Sequence, residues 1–179
     1  MKKKLYVIIL AALISAPSFA RDLSNAVFLN VGEAVVAAIY SGFGLGIGYE
    51  RALSDNFSVL ANGNYFSINF DNSNYTGVNA GFSMRYYLFG NAPKNLFVDI
   101  GGSYAFTYIE RGRQSAASNT FELEVLAGWK FVFGKEAGLF LEPGYGYSFN
   151  FGEIKGPPGV KTDNLPNDHK LWLGVGFAF

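Results

Sequence analysis

Downstream of residue 40, apolar and polar positions alternate along most of the chain. From Thr76 to Phe89, the residues Val78, Ala80, Phe82, Met84, Tyr86 and Leu88 fall on one side of an extended backbone, and Gly77, Asn79, Gly81, Ser83, Arg85 and Tyr87 on the other. A period of two predicts a strand with unlike faces. The pattern recurs where Leu96, Val98, Ile100, Tyr104, Phe106 and Tyr108 oppose Asp99, Gly101, Ser103 and Thr107. It recurs where Phe121, Leu123, Val125, Ala127, Trp129, Phe131 and Phe133 oppose Glu122, Glu124, Gly128 and Lys130. Two more such stretches follow, one around Glu142, Gly144, Gly146, Ser148 and Asn150, the other around Lys170, Gly174, Gly176 and Ala178.

Upstream, Phe43, Leu45, Ile47 and Tyr49 alternate with Gly44, Gly46, Gly48 and Glu50, predicting a strand to about Leu53. Phe57 to Phe70 changes phase near Tyr65-Phe66, which reads as a bulge. Asn25 to Ala38 is the least regular segment and is assigned to strand one by elimination. The breaks at Ser54-Asp55-Asn56, Asn91 to Asn95 and Gly134 to Ala137 are short and polar, whereas Arg111 to Asn119 and Lys155 to Asp168 read as longer loops. Eight strands with short turns at one end and longer loops at the other predict an all-β fold, an eight-stranded antiparallel up-and-down barrel.

Alternation alone does not say which face points inward, but residue size does. The polar face is mostly Gly, Ser, Asn and Ala with a few charges, which suits a narrow lumen. The apolar face carries Trp129, Tyr86, Tyr108, Tyr145 and many Phe, more bulk than an eight-stranded interior can hold. Composition agrees: 17% of the residues are aromatic and only 16% charged, against roughly 25 to 35% charged on a soluble surface. The apolar face is therefore expected to meet lipid, making the barrel transmembrane. No run of about 18 apolar residues follows the N-terminal segment, so a transmembrane helix is not expected.

The N-terminal segment itself has the layout of an export signal. Lys2, Lys3 and Lys4 precede an apolar stretch from Leu5 to Ile14, and Ser18-Phe19-Ala20 puts small residues three and one before a cut. The expected division is a signal peptide over residues 1–20 and a barrel over 21–179, with the mature protein starting at Arg21. With 14 basic and 14 acidic residues the formal charge is zero, so no general field favours nucleic acid. Cysteine is absent, which removes disulfides, thiolate metal sites and cysteine nucleophiles together.

These features resemble the small eight-stranded bacterial outer-membrane barrels of the OmpX and OmpA-transmembrane-domain type. The resemblance rests on the leader, the strand ladder, the segment Gly48-Tyr49-Glu50-Arg51-Ala52-Leu53-Ser54-Asp55-Asn56-Phe57, and the terminal Leu173-Gly174-Val175-Gly176-Phe177-Ala178-Phe179. It implies residence in a bacterial outer membrane, surrounding lipid as partner, and a terminal Phe179 read by the outer-membrane assembly machinery. A monomer is expected, with no cofactor and no metal. Nothing resembling OmpA's periplasmic peptidoglycan-binding domain follows Phe179, which argues against cell-wall attachment.

Candidate chemistry is sparse. Gly42, Gly44, Gly46 and Gly48 lack the strand-then-helix context of a dinucleotide loop, and read as a lumen row leaving room for Tyr87 or Trp172. His169 is the single histidine. Ser148 and Glu142 could converge on it as in barrel lipases acting on lipid A, but no family motif surrounds them, and a loop-edge histidine is the expectation. Arg111, Arg113, Lys155 and Lys161 fall in the longest predicted loops, where they are expected to be solvated, with lipopolysaccharide phosphate as the alternative contact.

The strongest expectation concerns charge on the small-residue face. Counting from the short turns puts Glu50, Arg85, Asp99, Lys130 and Glu142 near one end of the lumen, and Glu122, Glu124 and Lys170 nearer the other. Mixed signs allow pairing, which would plug the barrel. The function expected is a structural or surface-interaction protein without catalytic residues; a narrow channel and a lipid-A-modifying enzyme are the alternatives.

Overall fold

The computed structural model describes residues 24–70, 72–134, 137–152 and 168–179. The order of elements is β1 (Asn25–Asn30), α1 (Val31–Ile39), β2 (Phe43–Ala52), β3 (Phe57–Phe70), β4 (Ser73–Tyr87), β5 (Asn95–Arg111), β6 (Gln114–Phe133), β7 (Gly138–Phe151) and β8 (Asp168–Ala178). Each strand pairs antiparallel with its neighbour in sequence, and β1 also pairs with β8, so the sheet closes into an eight-stranded up-and-down barrel. The seam is tied at the last residue, where the Asn25 amide donates to the Phe179 carbonyl at 2.8 Å and the Phe179 amide returns a bond to Asn25 at 2.8 Å. Closure leaves few backbone groups facing lipid unpaired, the condition for crossing a bilayer with strands.

The faces are those of a membrane protein. Ile47, Met84, Ile100, Val125, Phe131 and Leu171 are exposed on the outside, while Glu50, Arg85, Lys130 and Glu142 are buried inside. An apolar exterior around a charged interior inverts the arrangement of a soluble barrel, and it makes this a transmembrane one. The described residues contain no helix long and apolar enough to span a membrane.

Three sequence expectations are corrected. Strand one ends at Asn30; the rest of the Asn25 to Ala38 segment is helix α1, whose exposed face is Ala34, Val35, Ala38 and Ile39 and whose buried residue is Ala37. Its run of Ala and Val carried neither a clean period of two nor a long amphipathic stripe.

The second correction is that β3 has no bulge. Its register is unbroken from Phe57↔Tyr86 to Phe70↔Ser73 on one side and from Phe43↔Ser67 to Ala52↔Ser58 on the other. The apparent phase change arises because Phe66 points into the lumen, where its ring occupies the space a side chain on Gly77 would fill.

Third, the loop expected over Arg111 to Asn119 is a tight turn at Gly112-Arg113. The β5–β6 ladder runs out to Arg111↔Gln114, with Gly112 at a φ of 61° that glycine adopts without strain. Most of the Lys155 to Asp168 loop, with Lys155 and Lys161, lies outside the described residues, as does the segment over residues 1–20 that reads as an export signal.

Candidate functional site, a buried charge cluster in the lumen

Arg85 is the centre of the lumen. Register sets it between Ser58 of β3 and Asp99 of β5, its directly opposite neighbours on either side. Its Nε donates to Asp99 Oδ2 at 2.6 Å, and its Nη1 lies 3.0 Å from Glu50 Oε2 and 2.8 Å from Glu142 Oε1. The guanidinium carbon sits 4.3 Å from the Phe97 ring centroid, so one face of the cation is packed rather than hydrated.

Lys130 completes the cluster. It pairs with Glu50 and, at 2.9 Å, with Glu142 Oε2, and its ammonium lies 4.5 Å from the centre of the Phe140 ring. Every member is buried. Two cations face three carboxylates, and neutral donors supply further hydrogen bonds, leaving Asp99 Oδ1 without one. Tyr87 donates to Glu50 at 2.6 Å, Ser58 also donates to Glu50, Ser83 donates to Asp99 at 2.9 Å, and the Trp172 indole donates to Glu142 at 2.8 Å. In a low-dielectric interior such partners are what make buried charge tolerable.

The second group also converges. Lys170 on β8 pairs with Glu122 at 3.1 Å and with Glu124 on β6, and Ser103 reaches Glu122 at 3.4 Å. Glu33 of α1 lies within electrostatic reach of all three charged groups. Sequence reasoning missed Glu33, because it placed the residue on a strand. It also left out the cluster's aromatic members Tyr87, Phe97, Phe140 and Trp172. An aromatic side chain on the small-residue face, two positions from a charge, was the available signal for Tyr87 beside Arg85.

The glycine row of β2 does lie inside, but its neighbours differ from those expected. Phe28 of β1 lies over Gly48, Asn64 and Asn30 over Gly46, and the α1 backbone over Gly44. Tyr87 and Trp172 serve the carboxylates instead. Gly42 lies in the turn before β2.

A hydrolytic triad is not assembled. His169 is exposed on the outer face, where Nδ1 lies 2.5 Å from the Tyr145 hydroxyl, whereas Ser148 and Glu142 are buried on the lumen face of β7. Arg111 ends β5 and Arg113 lies in the adjoining turn, both far along the hairpin from the Arg85 cluster.

No protein-family model matches the chain, and no curated protein does. Among solved structures it is similar to Ail, the attachment invasion locus protein of Yersinia pestis, with a TM-score of 0.49, 13% identity, and 88% of this chain and 94% of that one covered. It is also similar to Neisserial surface protein A, with a TM-score of 0.48, 15% identity and coverage of 87% and 93%. A third is the N-terminal β-barrel domain of Pseudomonas aeruginosa OprF, with a TM-score of 0.42, 17% identity and coverage of 88% and 96%.

Proposed function

We propose that the protein is an integral barrel of a bacterial outer membrane, closed to solutes along its axis, whose role is structural or one of surface interaction. The observation that carries the closed lumen is the Arg85 and Lys130 cluster. Its five charged side chains come from five different strands and are all buried. An eight-stranded interior is only just wide enough to be filled by side chains, and here those side chains grip one another.

Outer-membrane residence is supported by the closed barrel with an apolar exterior, the architecture of that membrane, together with the export signal at residues 1–20. The end carrying the β2–β3, β4–β5 and β6–β7 connections is taken as periplasmic, because the long β7–β8 connection and the extended β5–β6 hairpin lie at the other. The opposite end then faces outward. There β6, at 20 residues, exceeds the roughly 9 to 11 that a tilted strand needs to cross the bilayer. The β5–β6 hairpin thus projects Glu110, Arg111, Arg113 and Gln114 beyond the lipid, a surface suited to lipopolysaccharide phosphate or a protein partner. Phe179 serves as the signal for the assembly machinery. The protein acts as a monomer without a cofactor.

Planar-bilayer recording of the purified protein tests this reading against the channel alternative. Absence of steady conductance is expected, and sustained ion current through the wild-type barrel overturns it.

A further inference from the structure

The geometry points to a lateral port in the barrel wall, between β8 and β2 beside α1, through which a single hydrocarbon chain of an uncharged amphiphile passes between the membrane and the outer end of the lumen. The first observation is a missing length of wall. Strand β1 pairs with β8 only as far as Asn30↔Gly174 and with β2 only as far as Asn30↔Gly46. Beyond these points, residues 168–173 of β8 and 43–45 of β2 have no strand between them. Two strand spacings leave roughly 10 Å between those edges, about the diameter of one helix.

Helix α1 occupies this opening. A methyl placed on Gly32 would lie 3.4 Å from the Leu173 amide nitrogen and 3.5 Å from the Leu171 carbonyl oxygen, against the free edge of β8. One placed on Gly44 would lie 2.6 Å from the Glu33 carbonyl oxygen and 3.1 Å from Ala37 Cβ, against the lumen face of β2. The helix packs between the free edge of β8 and the lumen face of β2 without belonging to either ladder. Such a segment opens with far less loss of hydrogen bonding than a paired strand. Its exposed face includes Val35 at 55% and Ile39 at 72%.

The third observation is a cleft at the far end of α1. Tyr40, Ile68, Phe70 and Tyr75 line a volume of about 260 Å³, with Tyr40 and Phe70 in edge-to-face contact at 5.7 Å. Ile68 and Tyr75 share the lumen-facing side of β3 and β4 with Leu60 and Arg85. At the tips of β3, β4 and β5, with Asn69, Asn74 and Glu110 on the outward side of their strands, a polar hollow of about 480 Å³ adjoins Phe70. Aromatic walls suit a hydrocarbon chain, and side-chain amides suit a hydroxyl or ester head. The group of Glu33, Glu122 and Glu124 around Lys170 disfavours an anionic head. The Arg85 cluster closes the way down the axis, so a chain in the cleft leaves sideways past α1.

The test uses the cysteine-free chain in phosphatidylcholine vesicles, with Ile68→Trp as reporter in a Trp129→Phe background, its emission read as the difference from the Trp129→Phe protein that keeps only Trp172. The added probe is a monoacylglycerol brominated on its chain. Saturable quenching of the reporter is expected. It should be lost when Ala37→Cys and Gly44→Cys are oxidised to a disulfide, and restored on reduction. Quenching that is absent, or that never saturates, or that is the same in oxidised and reduced protein, overturns the port. Should the double-cysteine variant fail to fold, Val35→Trp in the Trp129→Phe background decides. Quenching by chain-brominated phosphatidylcholine supports a helix set in the wall, and quenching by aqueous iodide instead refutes it.

Discussion

Lys130 and Glu142 stand opposite each other across β6 and β7, with Nζ and Oε2 2.9 Å apart and both side chains fully buried. The ladder sets them there, since Gly128 pairs with Gly144 on one side and Phe131 with Leu141 on the other. A charge pair fixed by register contributes to specificity as well as stability. A slip of β6 by one residue would turn Lys130 toward lipid.

Loss of one partner should therefore be worse than loss of both. Lys130→Met and Glu142→Gln are each expected to cost about 3 to 5 kcal/mol, because a buried charge is left short of a partner. The double variant should lose less than either single one, a clear departure from additivity. Urea titration of the folded fraction in vesicles measures all three, and strict additivity would contradict the coupling.

Arg85 bridges three carboxylates and fills the middle of the lumen. Arg85→Ala removes that bulk and leaves Glu50, Asp99 and Glu142 to repel one another. The variant should lose stability and gain a measurable cation-selective conductance in planar bilayers, where the parent shows none. A variant that stays closed would mean that the aromatic side chains alone seal the barrel.

Phe28 and Gly48 form a size pair across β1 and β2. A methyl on Gly48 would fall 2.0 Å from the Phe28 ring, so Gly48→Val is expected to destabilise by about 1 to 3 kcal/mol through overpacking. Phe28→Ala in that background should recover part of the loss. Equal damage in the single and double variants would show that the ring is not what the valine meets.

Val125 and Phe133 both face outward on β6, one near the middle of the strand and the other beside the short turn. Arg at the bilayer midplane costs roughly 2 to 4 kcal/mol and close to nothing at the interface. Val125→Arg should accordingly destabilise the barrel in vesicles far more than Phe133→Arg. Similar losses at the two positions would argue against this embedding.

Local pattern was enough to read the strands from β2 onward, the inward face of each, and the charges that share it. Side-chain direction in a strand has a period of two, so Glu50, Arg85, Asp99, Lys130 and Glu142 had to share a face once their strands were recognised. The pairing of Arg85 with Asp99 was not fixed by the break read at Asn91 to Asn95, whose centre lies one residue beyond that of the observed hairpin. The length of the β5–β6 hairpin was less legible, because Gln114 to Asn119 consists of small and polar residues and reads as loop, yet its backbone pairs as readily as any other.

What local pattern could not contain was the meeting of strands far apart in sequence. Lys130 reaches Glu50 across the lumen, and Trp172 reaches Glu142, only because the sheet closes on itself and brings opposite walls within side-chain reach. Phe66 reads as a phase error until Gly77 is seen to make room for it. Helix α1 is the clearest case. Val31 to Ile39 carries apolar residues on most positions, compatible with a lipid-facing strand or a short helix. Only the gap between β8 and β2, about one helix wide, decides that this stretch coils and sends Glu33 toward Lys170.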